Sequence, residues 1–103
     1  SETMEHAKIY DVDVMPFIQF LESPYATDRN KALAILAQAA RLPQGKKRIM
    51  QHGMKQLIAQ LELKQPCNRN PSYLVLKRIS GKNFKETNIA AWKQLQSENR
   101  AVG

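Results

Sequence analysis

Cysteine is almost missing from this chain of 103 residues: Cys67 stands alone, so neither an internal disulfide nor a cysteine-rich zinc site can form. Aromatics number seven, glycines four and prolines five, which sets aside fibrous and low-complexity classes. The glycines are scattered, so there is no Gly-rich loop to cradle a phosphate. No apolar run approaches the roughly 20 residues that a bilayer-spanning helix needs. No basic, then apolar, then small-residue leader opens the chain either. It starts at Ser1 rather than Met, as a processed or cut product would. That leaves the compartment open, with the cytoplasm favoured and the periplasm the alternative if a signal was removed.

What is present is 43% apolar and 24% charged, the balance of a single globular domain. With so few aromatics, its core has to be built from Leu, Ile, Val, Ala and Met, which favours helices. Charge is unevenly placed. Residues 1–28 hold six acids against Lys8, a net of −5, whereas residues 29–85 hold thirteen Lys and Arg against Glu62, a net of +12. Such asymmetry points to an acidic partner for the later part of the chain, or to contact between its acidic and basic regions.

Sliding the sequence by 40 residues sets 9–42 against 49–82 with seven identities in 34 positions: Ile9/Ile49, Ile18/Ile58, Leu21/Leu61, Glu22/Glu62, Arg29/Arg69, Asn30/Asn70 and Leu36/Leu76. Apolar residues also fall on apolar residues at Val14/Met54, Phe17/Leu57 and Ile35/Val75. A period near 40 lies in the range of helical repeats. The expected organisation is a first repeat at about 9–48, a second at about 49–88, and a capping helix at about 88–99.

Helical spacing supports this. Ala32, Ile35, Leu36, Ala39 and Ala40 lie on one face of a helix, with Asp28 as its expected N-cap. Ser72, Val75, Leu76 and Ile79 repeat the stripe, with Asn68 or Asn70 as cap, Pro71 in the first turn and Gly81 as the stop. A shorter helix precedes each, over 14–22 and 54–63. A short basic helix over 46–52 ends at Gly53, whose counterpart is Asp13. The last helix starts near Asn88 and turns Ile89, Trp92 and Leu95 inward. No stretch alternates with period two.

The segment Ile49-Met50-Gln51-His52-Gly53-Met54-Lys55-Gln56-Leu57-Ile58-Ala59-Gln60-Leu61 resembles the armadillo pattern, an Ile-x-x-x-Gly turn before an Ile-Pro-x-Leu-Val-x-Leu-Leu helix. Met15-Pro16-Phe17-Ile18-Gln19-Phe20-Leu21 is similar to the same helix and keeps its proline, and residues 31–40 resemble the Ala- and Leu-rich third helix. Leu76-Lys77-Arg78-Ile79-Ser80-Gly81-Lys82-Asn83-Phe84, followed by Trp92, resembles a Leu-x-x-Leu-Thr-Gly-x-x-Phe…Trp ending of some bacterial HEAT-repeat proteins. The resemblance implies an all-α fold, a right-handed α-α superhelix of the armadillo/HEAT type with about two and a half repeats. Its third helices, 31–41 and 71–79, would line a groove. The Trp and Asn ladder by which armadillo proteins hold nuclear-import peptides would fall at Ala34 and Gln38, then at Leu74 and Arg78. The ladder is absent, and a basic groove would repel a basic cargo.

No catalytic constellation is found. Cys67 lies in a Pro- and Asn-rich segment, 65–71, without a base at fixed spacing. His6 and His52 have no carboxylate or cysteine at metal-ligand spacing. The reading is a non-enzymatic module without cofactor or metal. An enzyme related to helical-repeat DNA glycosylases is disfavoured because Glu62 is the only acid in the basic region. The chain is expected to bind an acidic protein partner through Lys31, Ala34, Gln38, Arg41, Tyr73, Leu74, Lys77 and Arg78, with Lys46, Lys47 and Arg48 as a separate basic patch. The alternative is binding to the phosphate backbone of a nucleic acid, for which Tyr73 and Phe84 are the only aromatics in the basic half available to stack on a base. Three repeats are the usual minimum, so the ends call for capping or self-association.

Overall fold

The computed structural model describes residues 13–102, and among them the chain forms six helices and no strand. They are α1 (Met15–Phe20), α2 (Ala26–Ala39), α3 (Pro43–His52), α4 (Met54–Leu61), α5 (Pro66–Ser80) and α6 (Ile89–Val102). The all-α expectation holds. The part of the proposed first repeat that includes Ile9 lies outside the described residues, as do His6 and the other residues up to 12.

Helix boundaries recur with the 40-residue spacing. α2 spans Ala26–Ala39 and α5 Pro66–Ser80, while α1 spans Met15–Phe20 and α4 Met54–Leu61. Burial recurs as well: Val14 and Met54, Ile18 and Ile58, Leu21 and Leu61, Ala32 and Ser72, Leu36 and Leu76 are all buried. These side chains, with Leu33, Ala40, Ile49, Leu57, Val75, Ile79 and Trp92, make one continuous core.

Three expected details are corrected. First, the buried arc of α2 is Ala32, Leu33, Leu36 and Ala40, while Ile35 is 39% exposed. Helix α2 packs against α1, α3 and α5, and Ile35 opens into a hollow that it shares with Phe17 and Phe20 of α1. Second, α2 begins before Asp28. Tyr25 is its N-cap, in extended conformation, because Ser23 makes the turn: its Oγ accepts from the Tyr25 N–H at 3.2 Å and donates to Asp28 Oδ2 at 2.9 Å. Asp28 is left in the first turn, where a carboxylate suits the helix dipole. Third, α5 begins at Pro66, not near Asn70, so Cys67 is an exposed residue of its first turn and Pro71 lies inside the helix. Proline at the first position removes only an N–H that has no helical acceptor. Asn68 caps nothing; it is fully buried and bonded across to α2.

Gly81 ends α5 in the left-handed conformation, with φ 70°, and its N–H donates to the Lys77 carbonyl at 2.9 Å. Gly53 separates α3 from α4 with an ordinary φ of −114°. What it supplies is room, since a Cβ there would stand 3.1 Å from Ile18 Cδ1. Gly45 is the tighter case. It is buried in the first turn of α3, and a Cβ would overlap the Ala39 carbonyl at the end of α2. Backbone cannot move aside as a side chain can. Gly45→Ala is therefore expected to cost about 1–3 kcal/mol, the range for an overpacked core, read as a lowered midpoint in a denaturant titration. A midpoint equal to the parent's would show that α3 does not approach α2 this closely.

Candidate interaction face

Helices α2 and α5 lie side by side and run in the same direction. At their starts, Arg29 Nε donates to Asn68 Oδ1 at 3.1 Å and Asn68 Nδ2 donates to the Ala26 carbonyl at 3.3 Å. At their ends, Arg78 Nη1 donates to the Ala37 carbonyl at 3.0 Å. The bonded partners are 39 to 42 residues apart in sequence, so the pairing is parallel and keeps the register of the internal match.

Arg29 anchors this pairing. It is 8% exposed, and its guanidinium donates to Asn68 Oδ1, to the Ser23 carbonyl at 2.7 Å and to Gln65 Oε1 at 2.7 Å. A buried guanidinium is tolerated when its donors meet acceptors, and here three oxygens provide them, one from the chain before α2, one from the N-cap of α5 and one from α5 itself. The match Arg29/Arg69 is visible in the sequence, but nothing in its spacing marks a bond between the two helices. The counterpart Arg69 is half-buried, with its Nε 3.8 Å from Glu86 Oε1.

With those faces used for packing, the opposite edges of α2 and α5 form an outward strip. Lys31, Ala34 and Gln38 are exposed on α2, Arg41 just after its end, and Leu74 and Arg78 on α5. The 40-residue match pairs Ala34 with Leu74 and Gln38 with Arg78, and the parallel register sets each pair side by side. Leu74 is 40% exposed in a basic setting. Glu62 is engaged by Lys93 at 3.1 Å and Glu86 lies against Arg69, so neither is spent on the strip's cations.

Two expected contact residues are better described as structural. Tyr73 is half-buried; its hydroxyl donates to the Phe84 carbonyl at 2.7 Å, and its ring stands edge-on to Trp92 at 6.2 Å between centroids. Lys77 is half-buried with its ammonium 4.5 Å from the Tyr73 centroid, a cation–π contact. Phe84 packs edge-on to Trp92 at 5.0 Å. Both aromatics of the basic half are thus held against Trp92, which is fully buried. The triplet Lys46, Lys47, Arg48 lies on another helix, α3. Lys46 and Lys47 are exposed there and Arg48 is half-buried.

Among the described residues no group of three or more His, Cys, Asp or Glu converges to hold a metal, and no helix is long and apolar enough to cross a membrane. His52 is exposed at the end of α3. The chain matches no family model, no curated protein and no solved structure.

Proposed function

We propose that this chain is a protein-interaction module without catalytic activity, a short right-handed α-α superhelix that binds an acidic partner along α2 and α5. The observation that supports this best is the parallel pairing of those helices in 40-residue register. Stacked units of this kind offer extended surface rather than a closed pocket. On that surface Leu74 is half-exposed, with Arg78 one turn further along α5 and Arg41 just past the end of α2, so an acidic segment carrying one apolar residue satisfies both kinds of contact. Phosphate-backbone binding to nucleic acid is the second reading, favoured by the exposed Lys46 and Lys47 of α3. It is weakened by the engagement of Tyr73 and Phe84 with Trp92, which removes both from base stacking.

Arg41→Glu with Leu74→Glu tests the reading. Neither side chain is buried, so folding is expected to be unchanged. Partner binding should weaken by about tenfold or more, equal to about 1.4 kcal/mol, the scale of one well-placed interface residue. Affinity capture with parent and variant, at low and high salt and with nuclease, reads the result. A captured protein that survives nuclease and is lost with the variant supports the module. Capture that disappears with nuclease and falls steeply with salt assigns the surface to nucleic acid.

A further inference from the structure

A second apolar surface lies apart from the centre of that strip. Between α1 and α2 is a hollow of about 200 Å³ lined by Phe17, Phe20, Asp28, Lys31, Ala32 and Ile35. On the other flank of Phe20 is a broader depression of about 430 Å³, whose wall includes Glu22 and Asp28. Two apolar side chains here are uncovered: Phe20 is 50% exposed and Ile35 39%.

The internal match shows that such a face is normally closed. Phe17, Phe20 and Ile35 correspond to Leu57, Gln60 and Val75, which are 0%, 4% and 0% exposed. In the second unit that face lies against the first, and Gln60 Nε2 donates to the Leu21 carbonyl at 2.9 Å. On the first unit no described helix takes the equivalent place.

Charge selects the occupant. Residues 29–85 carry thirteen bases and one acid, yet the rim of this hollow holds both signs, Lys31 and Asp28, and Glu22 lines the neighbouring depression. A strongly acidic ligand would meet the carboxylates and a strongly basic one would meet Lys31. A patch with both signs around an apolar centre complements itself under a twofold rotation, the requirement for an isologous contact.

The geometry points to this face as the contact between two copies of the chain, related by a twofold axis, each lodging Phe20 in the other's hollow beside Ile35 and setting Lys31 against the other's Glu22 and Asp28. Apolar burial dominates the contact, and each chain carries a formal +7. Added salt screens the repulsion between the copies, so it leaves the dimer intact or tightens it.

Sedimentation equilibrium of the full chain from micromolar to millimolar concentration tests this. The expected result is a monomer–dimer equilibrium with no larger species. Phe20→Glu and, separately, Ile35→Lys each raise the dissociation constant at least tenfold, and Leu74→Glu leaves it at the parent's value. Phe20 and Ile35 are substantially exposed, so both variants should keep the parent's circular dichroism. If one of them unfolds, the other still decides. A parent monomeric at every concentration overturns the proposal, whatever else covers the face. So does an open series of larger species, or a dimer lost with Leu74→Glu and kept with Phe20→Glu. Partner capture by the Phe20→Glu variant separates this contact from the α2 and α5 strip, since dimerisation is lost there while capture is retained.

Discussion

Leu36→Ala and Leu76→Ala should each destabilise the fold by about 2–5 kcal/mol, the range for a buried leucine cut to alanine. Both side chains are 0% exposed. They occupy places 40 residues apart on α2 and α5, which pack side by side. Against a total stability of about 5–15 kcal/mol for a domain, either loss is large. The melting midpoint should fall by roughly 10 °C or more, since each kcal/mol moves a domain of this size by about 4 °C or more. Gln38→Ala, on the exposed edge of the same helix, should stay within about 0.5 kcal/mol of the parent. If the two leucine variants melt like Gln38→Ala, the inward face of both helices has been assigned wrongly.

Trp92→Ala should have an effect at least as large, about 3–5 kcal/mol. Trp92 is fully buried, packs edge-on against Phe84 and Tyr73, and donates from Nε1 to the Lys85 carbonyl at 3.1 Å. It thereby joins α6 to the segment after α5. Trp92→Phe separates the contributions: it keeps much of the ring's packing but removes the donor, leaving the Lys85 carbonyl without that bond. The Lys85 carbonyl still accepts from the Asn88 N–H at 3.0 Å, so the loss is that of one hydrogen bond, about 0.5–1.5 kcal/mol, and the phenylalanine variant should lie between parent and alanine variant in a denaturant titration. Equality of the phenylalanine variant with the parent would remove the hydrogen bond from the account. Equality of all three would remove Trp92 from the core.

How far the sequence predicts this fold can be judged residue by residue. Leu36, Leu76 and Trp92 are buried as their spacing implies, and so are Ile18, Leu21, Leu57, Ile58 and Leu61, which spacing turns inward on the two shorter helices, whereas Phe17, on the same expected face, is half-buried; apolar residues on one arc of a helix have to find a neighbour. Gly81 stops α5 as expected, since its φ of 70° suits glycine above other residues. The misreadings share one cause. Ile35 was placed inside and Leu33 was not, because spacing identifies an apolar face but not where a neighbouring helix lies. Asp28 and Asn68 were read as local caps, but Asp28 bonds to the turn at Ser23 and Asn68 to the neighbouring helix. Local capping signals cannot register a partner some forty residues away.

The strip is partly visible in the same way. Lys31, Ala34, Gln38, Arg41, Leu74 and Arg78 are exposed, as contact residues have to be, although Arg78 also reaches across to the Ala37 carbonyl and Lys31 lines the hollow toward α1. Tyr73 and Lys77 were grouped with them by position along α5, yet Tyr73 is turned toward Phe84 and Trp92 and holds Lys77 over its ring. An aromatic at the edge of a helical stripe can face core or solvent, and the later segment 84–92 decides which. The uncovered Phe20 and Ile35 could be sensed only by setting them beside Gln60 and Val75 and asking what closes the second pair.

The central claim is that two units stand side by side in 40-residue register, with α2 and α5 parallel. Distances between paired spin labels test it most directly. With Cys67 changed to Ser, labels are placed at Asn30 with Asn70 and, in a second protein, at Gln38 with Asn70, all exposed positions. Packed helices lie about 8–10 Å apart, and eight residues of helix extend about 12 Å. The account therefore predicts a short Asn30–Asn70 distance and a Gln38–Asn70 distance longer by several ångströms. A Gln38–Asn70 distance shorter than Asn30–Asn70 would make the two helices antiparallel and would contradict it.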